Sequence, residues 1–247
     1  MQKLDTGSVS LLTDPMRGEC IAPRSTTSIT IFLSCNRDGK WEVYYKDFSD
    51  GSLSLLTQVD QGRCWDPVMS PDGFLFFTCD RKGVRSIYFQ DTKTGEVKQI
   101  TDSMKGESWN PAVGPNGDLY FTSSRDGKPA IYYLSRSENI TKRLTDPQNG
   151  PCWSPVFSTT GILYMTCDRN GSRQIYMKDL SSGEVNRLTQ PEYGENWGPA
   201  AGPNGNLFFT STRDGKREIY HLATDGTVRR LTNTSGNAES WTVEEDW

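Results

Sequence analysis

Short apolar segments alternate along the chain with polar turn segments. In residues 74–101, for example, aromatic and β-branched residues cluster at 74–79 and 86–91, and Thr94-Gly95 follows as a turn. Segments of this length, bounded by Gly, Pro, Asp and Asn, are typical of β-strands that are joined by tight turns. The pattern predicts an all-β fold made of many short strands.

The same order of segments recurs every 44 residues. Four markers share this period: an apolar residue followed by Thr, an Arg, a Tyr and a Trp. They lie at Leu12-Thr13, Leu56-Thr57, Ile100-Thr101, Leu144-Thr145, Leu188-Thr189 and Leu231-Thr232; at Arg37, Arg81, Arg125, Arg169 and Arg213; at Tyr44, Tyr88, Tyr132, Tyr176 and Tyr220; and at Trp65, Trp109, Trp153, Trp197 and Trp241. Because these markers are independent of one another, they indicate a tandem repeat.

Each repeat contains four predicted strands, which we call a to d in chain order. In the second repeat they are near Cys64–Ser70, Phe74–Cys79, Ser86–Asp91 and Val97–Thr101. Asp-Gly between strands b and c, as in Asp126-Gly127, favours a tight hairpin. Four strands in about 40–45 residues match one blade of a β-propeller, whose apolar faces are buried only by stacking on neighbouring blades.

The repeats predict a single β-propeller domain over residues 1–247, built from four-stranded antiparallel blades. Five blades are complete, at about residues 19–57, 63–101, 107–145, 151–189 and 195–232. Terminal strands at 8–13 and 240–244 match strands d and a of a further blade, in which strand b and most of strand c are missing. Two arrangements fit this pattern, a five-bladed ring with spare end strands and a six-bladed ring with an incomplete last blade. We favour the first, because five complete blades can close a ring.

The repeat has a recognisable consensus: S-P-D-G, an apolar strand, S/C-x-R-D-G-x-x-x-I-Y, and G-x-x-x-x-L-T. Its instances include Ser70-Pro71-Asp72-Gly73, Ser124-Arg125-Asp126-Gly127, Ile219-Tyr220 and Arg187-Leu188-Thr189. This consensus resembles the WD-repeat-like repeats of TolB-like β-propellers over nearly the whole chain. The first and fourth repeats depart from it, with Thr26-Thr27-Ser28-Ile29 and Ser158-Thr159-Thr160-Gly161 in place of the Pro-Asp turn. The resemblance implies the fold, and it implies partners such as envelope proteins without assigning any partner-binding residue.

The six cysteines form three pairs that are each 15 residues apart, with one member in strand a and the other in strand b. These pairs are Cys20 with Cys35, Cys64 with Cys79, and Cys152 with Cys167. The two numbers of the second pair add up to 143, as do those of residues 69 and 74 around the turn, so the two cysteines face each other across an antiparallel ladder. Opposed Cα atoms lie within disulfide range. The sequence therefore predicts three disulfides, although small buried thiols that stay reduced would also fit.

In the other two blades, both cysteines of the pair are replaced together. Ser108 and Ser123 take these positions in the third blade, and Asn196 and Ser211 take them in the fifth. Paired cysteines suit an oxidising compartment, so we expect a periplasmic or extracellular protein, the alternative being a cytoplasmic protein with reduced cysteines.

Composition narrows the possible functions. The net charge is −4 and both signs are scattered along the chain, which disfavours nucleic acid as a partner. No apolar run is long enough to insert into a membrane. The single histidine, His221, and the lack of a G-x-S-x-G or phosphate-loop motif argue against an enzyme, and no cofactor or metal site is expected.

One candidate site is a ring of charged residues just before strand a. Its members are Glu19, Arg63, Glu107, Glu195 and Glu239, with Pro151 in the remaining position. Innermost strands surround the channel of a propeller, so these carboxylates could form a negative funnel for a cation or a basic peptide. Exposed glutamate is also common at strand starts, and the ring could simply be surface charge.

A second candidate is a stacking surface made of Trp65, Trp109, Trp153 and Trp197, which could bind sugars. Packing between blades is the competing interpretation of these tryptophans. We therefore expect a non-catalytic scaffold that binds a protein or peptide through the loop face and channel mouth. The alternatives are a carbohydrate-binding propeller and the propeller part of a larger hydrolase or lyase.

Overall fold

The computed structural model describes residues 11–25, 30–37, 39–57, 62–81, 83–202 and 205–233. These residues form five four-stranded antiparallel sheets in which each strand pairs with the next in sequence. The strands are β1 (Glu19–Ser25), β2 (Thr30–Arg37), β3 (Lys40–Asp47) and β4 (Leu53–Leu55) in blade 1; β5 (Arg63–Met69), β6 (Phe74–Arg81), β7 (Val84–Asp91) and β8 (Val97–Gln99) in blade 2; β9 (Ser108–Val113), β10 (Leu119–Ser123), β11 (Ala130–Ser135) and β12 (Ile140–Arg143) in blade 3; β13 (Cys152–Phe157), β14 (Leu163–Arg169), β15 (Ser172–Lys178) and β16 (Val185–Arg187) in blade 4; and β17 (Asn196–Ala201), β18 (Leu207–Ser211), β19 (Glu218–Leu222) and β20 (Val228–Arg230) in blade 5.

The five blades form a five-bladed propeller, which confirms the predicted fold and the favoured blade count. In the predicted terminal strands, residues 8–10 and 240–244 lie outside the described part of the chain. Residues 11–13 belong to the segment that leads into the first turn.

The core lies between blades rather than within them. Phe76 and Ile87 of blade 2 pack with Leu119 and Phe121 of blade 3, and all four side chains are at most 1% exposed. Burying such a side chain contributes about 1.5–3 kcal/mol. Because each apolar cluster needs two adjacent sheets, a single blade could not hold its own core.

The repeated Leu-Thr marker has a structural role at the end of strand d. In all five blades the Thr hydroxyl accepts a hydrogen bond from a backbone N–H of strand c. The donor–acceptor pairs are Val43 to Thr57, Ile87 to Thr101, Ile131 to Thr145, Ile175 to Thr189 and Ile219 to Thr232, at 2.8–3.1 Å. Strand d is only three or four residues long, and the hydroxyl satisfies an N–H that the short strand leaves uncovered.

Every innermost strand bends at a β-bulge that the sequence analysis did not predict. In β5 the pairing with β6 jumps from Trp65 to Val68, so that two residues face one on the partner. The first of them, Asp66, has a positive φ of 53°, and the second is Pro67. The bulge recurs 44 residues apart through the five blades, each time followed by proline. Proline fits there because an innermost strand has no further strand to receive its N–H.

The structure confirms the three disulfides. Cys20–Cys35, Cys64–Cys79 and Cys152–Cys167 are paired directly across strands a and b, with Cα atoms 4.0, 4.2 and 4.1 Å apart. The same register opposes Ser108 to Ser123 and Asn196 to Ser211. The predicted pairs are therefore correct, but the index argument behind them is not: Met69 lies opposite Leu75 and not Phe74, so the index sum is 144 near the turn and becomes 143 only beyond the bulge at Asp66.

Candidate functional site at the channel mouth

The candidate site lies at the end of the propeller where the innermost strands begin. Four 3-10 turns lead into strand a on this loop face: Pro15–Arg17, Ser103–Lys105, Pro147–Asn149 and Pro191–Tyr193. Strand a begins opposite the end of strand b, as Glu19 pairs with Asn36, so the b–c hairpins emerge on the same face. The turns, the strand starts and the hairpins together form one surface.

The turns are held rigidly by side-chain caps. Asp14, Asp102 and Asp146 each accept a hydrogen bond, at 2.9–3.0 Å, from the backbone N–H two residues further on. Such local bonds fix the turn without any contact to the rest of the fold. The fourth turn begins at Gln190 and has no side-chain cap.

A glycine ends each of the four turns, where the chain passes close to the end of strand b of the same blade. Gly18 has a φ of +104°, and a Cβ atom on it would lie 1.9 Å from the carbonyl oxygen of Asn36. No other residue fits that approach without moving the backbone. The turn tips are therefore presented at a fixed height above strand a.

Two of these rigid turns expose methionine. Met16 and Met104 are 90% and 93% exposed, and both occupy the middle position of their turns. Single exposed apolar side chains are common on protein surfaces, and these two are distinguished by their place at the tips of capped turns. Methionine adapts its shape to many partners. The corresponding positions of the later turns hold Gln148 and Glu192.

Two of the predicted ring carboxylates form ion pairs between blades. Arg85 of blade 2 lies 2.5 Å from Glu107 of blade 3, and Arg173 of blade 4 lies 2.7 Å from Glu195 of blade 5. In both pairs the arginine is 22 residues before the glutamate. The two pairs tie neighbouring blades together at the channel mouth, and the charges of Glu107 and Glu195 are compensated there.

The remaining ring positions differ from one another. Arg63 is exposed and pairs within its own blade with Asp80, at 3.1 Å. Glu19 is exposed. Glu239 lies outside the described residues. Among the described ring members the surface therefore combines an exposed acid, an exposed base and two bridged acids.

The tryptophans lie beside these ion pairs. Trp65 and Trp197 are buried, whereas Trp109 and Trp153 are half-buried. The Arg85 guanidinium lies 4.5 Å from the centre of the Trp109 ring. The side chain that bridges two blades thus also stacks on an indole, an arrangement in which the cation is attracted to the ring face.

Below the mouth, polar side chains from three blades meet around the channel. Asn110 donates a hydrogen bond of 2.7 Å to the carboxylate of Asp66, and the Ser154 hydroxyl donates one of 3.4 Å to the Asn110 side-chain oxygen. All three residues are buried, and all three occupy the bulge of their strand. Burial lowers the pKa of Arg24, and the nearby Asp66 carboxylate opposes this change. The channel wall is therefore polar and internally hydrogen-bonded along this arc.

The b–c hairpins on this face carry a tyrosine–aspartate contact in blades 3 and 5. Tyr132 donates to Asp126 at 2.5 Å, and Tyr220 donates to Asp214. Burial, together with this hydrogen bond, raises the pKa of Tyr132 to about 12. The same hydrogen bond is the main cause that lowers the pKa of Asp126. In blade 3 this hydrogen bond therefore favours the neutral tyrosine together with the ionised aspartate.

Known proteins share this architecture. A family model of the TolB β-propeller domain matches residues 85–206. TolB from Acinetobacter baumannii aligns with a TM-score of 0.76 at 25% sequence identity, over 90% of this chain and 56% of that chain. The chain is a TolB-like β-propeller. It spans little more than half of the Acinetobacter baumannii chain.

Other structures share the fold of this TolB-like propeller. A protein described as TolB from Agrobacterium tumefaciens aligns with a TM-score of 0.79 at 22% identity, over 94% of this chain and 86% of that chain. An oligogalacturonate lyase from Vibrio parahaemolyticus aligns with a TM-score of 0.60 at 12% identity, over 89% of this chain and 67% of that chain. A search of curated proteins found no match. Within the described residues, no helix has the length and apolar character needed to cross a membrane.

Proposed function

We propose that this TolB-like propeller is a non-catalytic scaffold that binds a protein or peptide at the loop face and channel mouth. The exposure of Met16 and Met104 on rigid turns carries this proposal. A partner that covers both side chains removes their apolar surface from water, which favours association. Protein partners are also what the resemblance to TolB-like propellers implies.

The electrostatics of the mouth support a partner with polar contacts around an apolar centre. Glu19 and Arg63 are exposed there and offer one charge of each sign. The bridged acids Glu107 and Glu195 contribute mainly by holding the blades in place, since their charges are compensated by arginine. We expect the exposed charges to set orientation and association rate more than affinity. The three disulfides favour an oxidising location, periplasmic or extracellular, for this interaction.

A peptide selection tests the proposal directly. Phage-displayed peptides are selected on the wild-type protein, and the affinity of one chosen peptide is measured for Met16→Ser/Met104→Ser. We expect a loss of about tenfold or more, because two buried apolar contacts disappear from the complex. Val97→Ser and Ile140→Ser remove exposed apolar side chains from outer strands d and serve as the matched control.

The control separates the loop face from the outer edge. We expect Val97→Ser/Ile140→Ser to bind the peptide as the wild type does. If the methionine variant kept full affinity while the control lost it, the binding surface would be the outer edge and the proposal would be wrong. If only a glycan array gave strong binding, and Trp109→Ala abolished it, the carbohydrate-binding alternative would replace the proposal.

A further inference from the structure

An open cleft of about 650 Å³ lies between blade 4 and blade 5, outside the channel mouth. A volume of this size is within the usual range for sites that bind small molecules. Its walls are mainly apolar, and six of the residues that line it are Ile162, Tyr164, Met177, Leu188, Leu207 and Leu222.

The corresponding position between blades 2 and 3 is closed by a side chain of the protein itself. Arg136 of blade 3 lies over the rings of Phe74 and Phe76 of blade 2, with its guanidinium carbon 4.8 and 5.4 Å from their centres. The same guanidinium forms an ion pair of 2.9 Å with Asp72. An arginine thus covers the apolar wall and is anchored by an acid at the rim.

Between blades 4 and 5, neither the arginine nor the aspartate of that cover is present. Thr224 stands 88 residues after Arg136, and Thr160 stands 88 residues after Asp72. The wall beneath remains apolar, with Tyr164 buried in the position of Phe76. The cleft therefore coincides with short side chains at these two positions, and the c–d turn of blade 5 beside it is one residue shorter than that of blade 3.

A cation without an acidic partner lies at the edge of the cleft. In blade 3 the equivalent residue, Arg143, forms an ion pair of 3.3 Å with Asp126, and the same pair recurs in blade 5. Blade 4 has Asn170 in place of that aspartate. Arg187 is exposed and donates to the side-chain oxygen of Gln190 at 2.8 Å, and it has no ion pair within the described part of the chain.

The charge lining the cleft has one sign. Arg213 lines it together with Arg187, and no Asp or Glu is among the described residues that do so. Arg213 lies 5.7 Å from the ring of the exposed Tyr193. An apolar surface beside two guanidinium groups is complementary to a molecule with a hydrocarbon body and one anionic end, because arginine binds carboxylates in a fork geometry.

We propose that the cleft between blades 4 and 5 binds a small monocarboxylate, whose apolar body lies against Tyr164 and Leu207 and whose carboxylate meets Arg187. The ligand takes the place that Arg136 fills between blades 2 and 3. Its apolar part covers the same wall, and its charge supplies the acid that blade 4 lacks.

The test measures binding of decanoate and of 1-decanol by isothermal titration calorimetry. We expect decanoate to bind wild-type protein with a dissociation constant below about 100 μM, and 1-decanol to bind about tenfold more weakly because it cannot pair with arginine. Arg187→Gln should weaken decanoate binding by about three- to tenfold and leave 1-decanol unaffected. Thr224→Arg should reduce the binding of both by at least about tenfold, since it rebuilds the natural cover of the earlier groove.

A matched control places the same arginine elsewhere. Thr92→Arg changes the exposed, equivalent turn residue of blade 2 and should leave decanoate binding unchanged. Equal binding of decanoate by Thr224→Arg and wild type would overturn the proposal. So would equal binding by Arg187→Gln, absence of binding at 1 mM decanoate, or tighter binding of a hexapeptide with a C-terminal leucine than of decanoate.

Discussion

The first prediction concerns the two ways in which this protein fastens strand a to strand b. Blade 4 has the disulfide Cys152–Cys167, and the Nε–H of Arg169 has no acceptor within the described residues. We consider two double substitutions that remove the disulfide, one to serine at both positions and one to alanine at both. Serine recreates the chemistry of blade 3, whereas alanine leaves the site apolar and unlinked.

Blade 3 shows what a serine pair can do in this frame. The Ser108 hydroxyl donates to Ser123 at 3.2 Å, and the Ser123 hydroxyl donates to the carbonyl of Glu107 at 2.7 Å. The Nε–H of Arg125 in turn donates to the Ser123 hydroxyl at 3.2 Å. The serine pair therefore satisfies an arginine hydrogen that the disulfide cannot.

The expected magnitudes follow from these contacts. A disulfide that closes a loop of about 15 residues stabilises by about 3 kcal/mol in the chain-entropy account. Each hydrogen bond that serine restores contributes about 1 kcal/mol, and the bond to the charged Arg169 slightly more. Three such bonds together offset about 3 kcal/mol. We therefore expect the alanine variant to lose about 3 kcal/mol of unfolding free energy and the serine variant to lose less than about 1 kcal/mol.

Urea unfolding followed by tryptophan fluorescence measures this difference. Both variants lose the same cross-link, so their unfolded chains should expand equally and share an m-value above that of the wild type; the free energy is then obtained from the midpoint and the m-value together. Ser108→Ala/Ser123→Ala is the matched control in blade 3, and it should cost about 3 kcal/mol because it removes the three hydrogen bonds without touching a disulfide. Equal stabilities of the serine and alanine variants of blade 4 would refute the argument that Arg169 gains a partner.

Three further predictions concern the frame. Thr101→Val should cost about 1–3 kcal/mol, because the buried N–H of Ile87 loses its acceptor, and thermal unfolding would show it. Glu107→Gln should lower the melting temperature and reduce its dependence on salt concentration, since the ion pair with Arg85 is lost; a change at low salt no larger than at 1 M salt would contradict this. Hydrogen bonds from Ser181 lower the pKa of Asp179, so this residue stabilises the protein above its ordinary pKa of 3.8, and the benefit disappears as the pH falls through the lower folded value. Asp179→Asn should therefore destabilise at pH 7 more than at pH 2, as measured by urea unfolding.

The fold could be predicted from the sequence because the period and the local turn chemistry agree. The index argument extended a sum of 143 from residues 69 and 74 to Cys64 and Cys79, but the structure pairs Met69 with Leu75, a sum of 144. The cysteines face each other because the bulge lowers the sum by one, which the argument did not include. The same reasoning could not reveal the bulge at Asp66, because the index sum is interrupted there. A signal was nevertheless present, since proline follows the bulge position in every repeat, as Pro67 does here.

The ring at the channel mouth shows where sequence reasoning reached its limit. The repeat predicts that Glu107 and Glu195 lie at the same height, just before strand a. Their ion pairs with Arg85 and Arg173 depend on strand c of one blade lying beside strand a of the next, which no register within a blade can show. The constant separation of 22 residues between each arginine and its glutamate was the available signal.

The repeat also constrains how a partner can bind. The frame repeats around the axis, but the turn tips do not: Met16 and Met104 belong to the turns before blades 1 and 3, whereas Gln148 and Glu192 belong to those before blades 4 and 5. A ligand centred on the axis would meet unlike side chains at equal radius and could not satisfy all of them. A partner that covers the sector of blades 1–3 buries both methionines and leaves the polar tips in water. The proposed partner is therefore expected to bind off-axis, and the cleft between blades 4 and 5 lies on the side that such a partner would leave open.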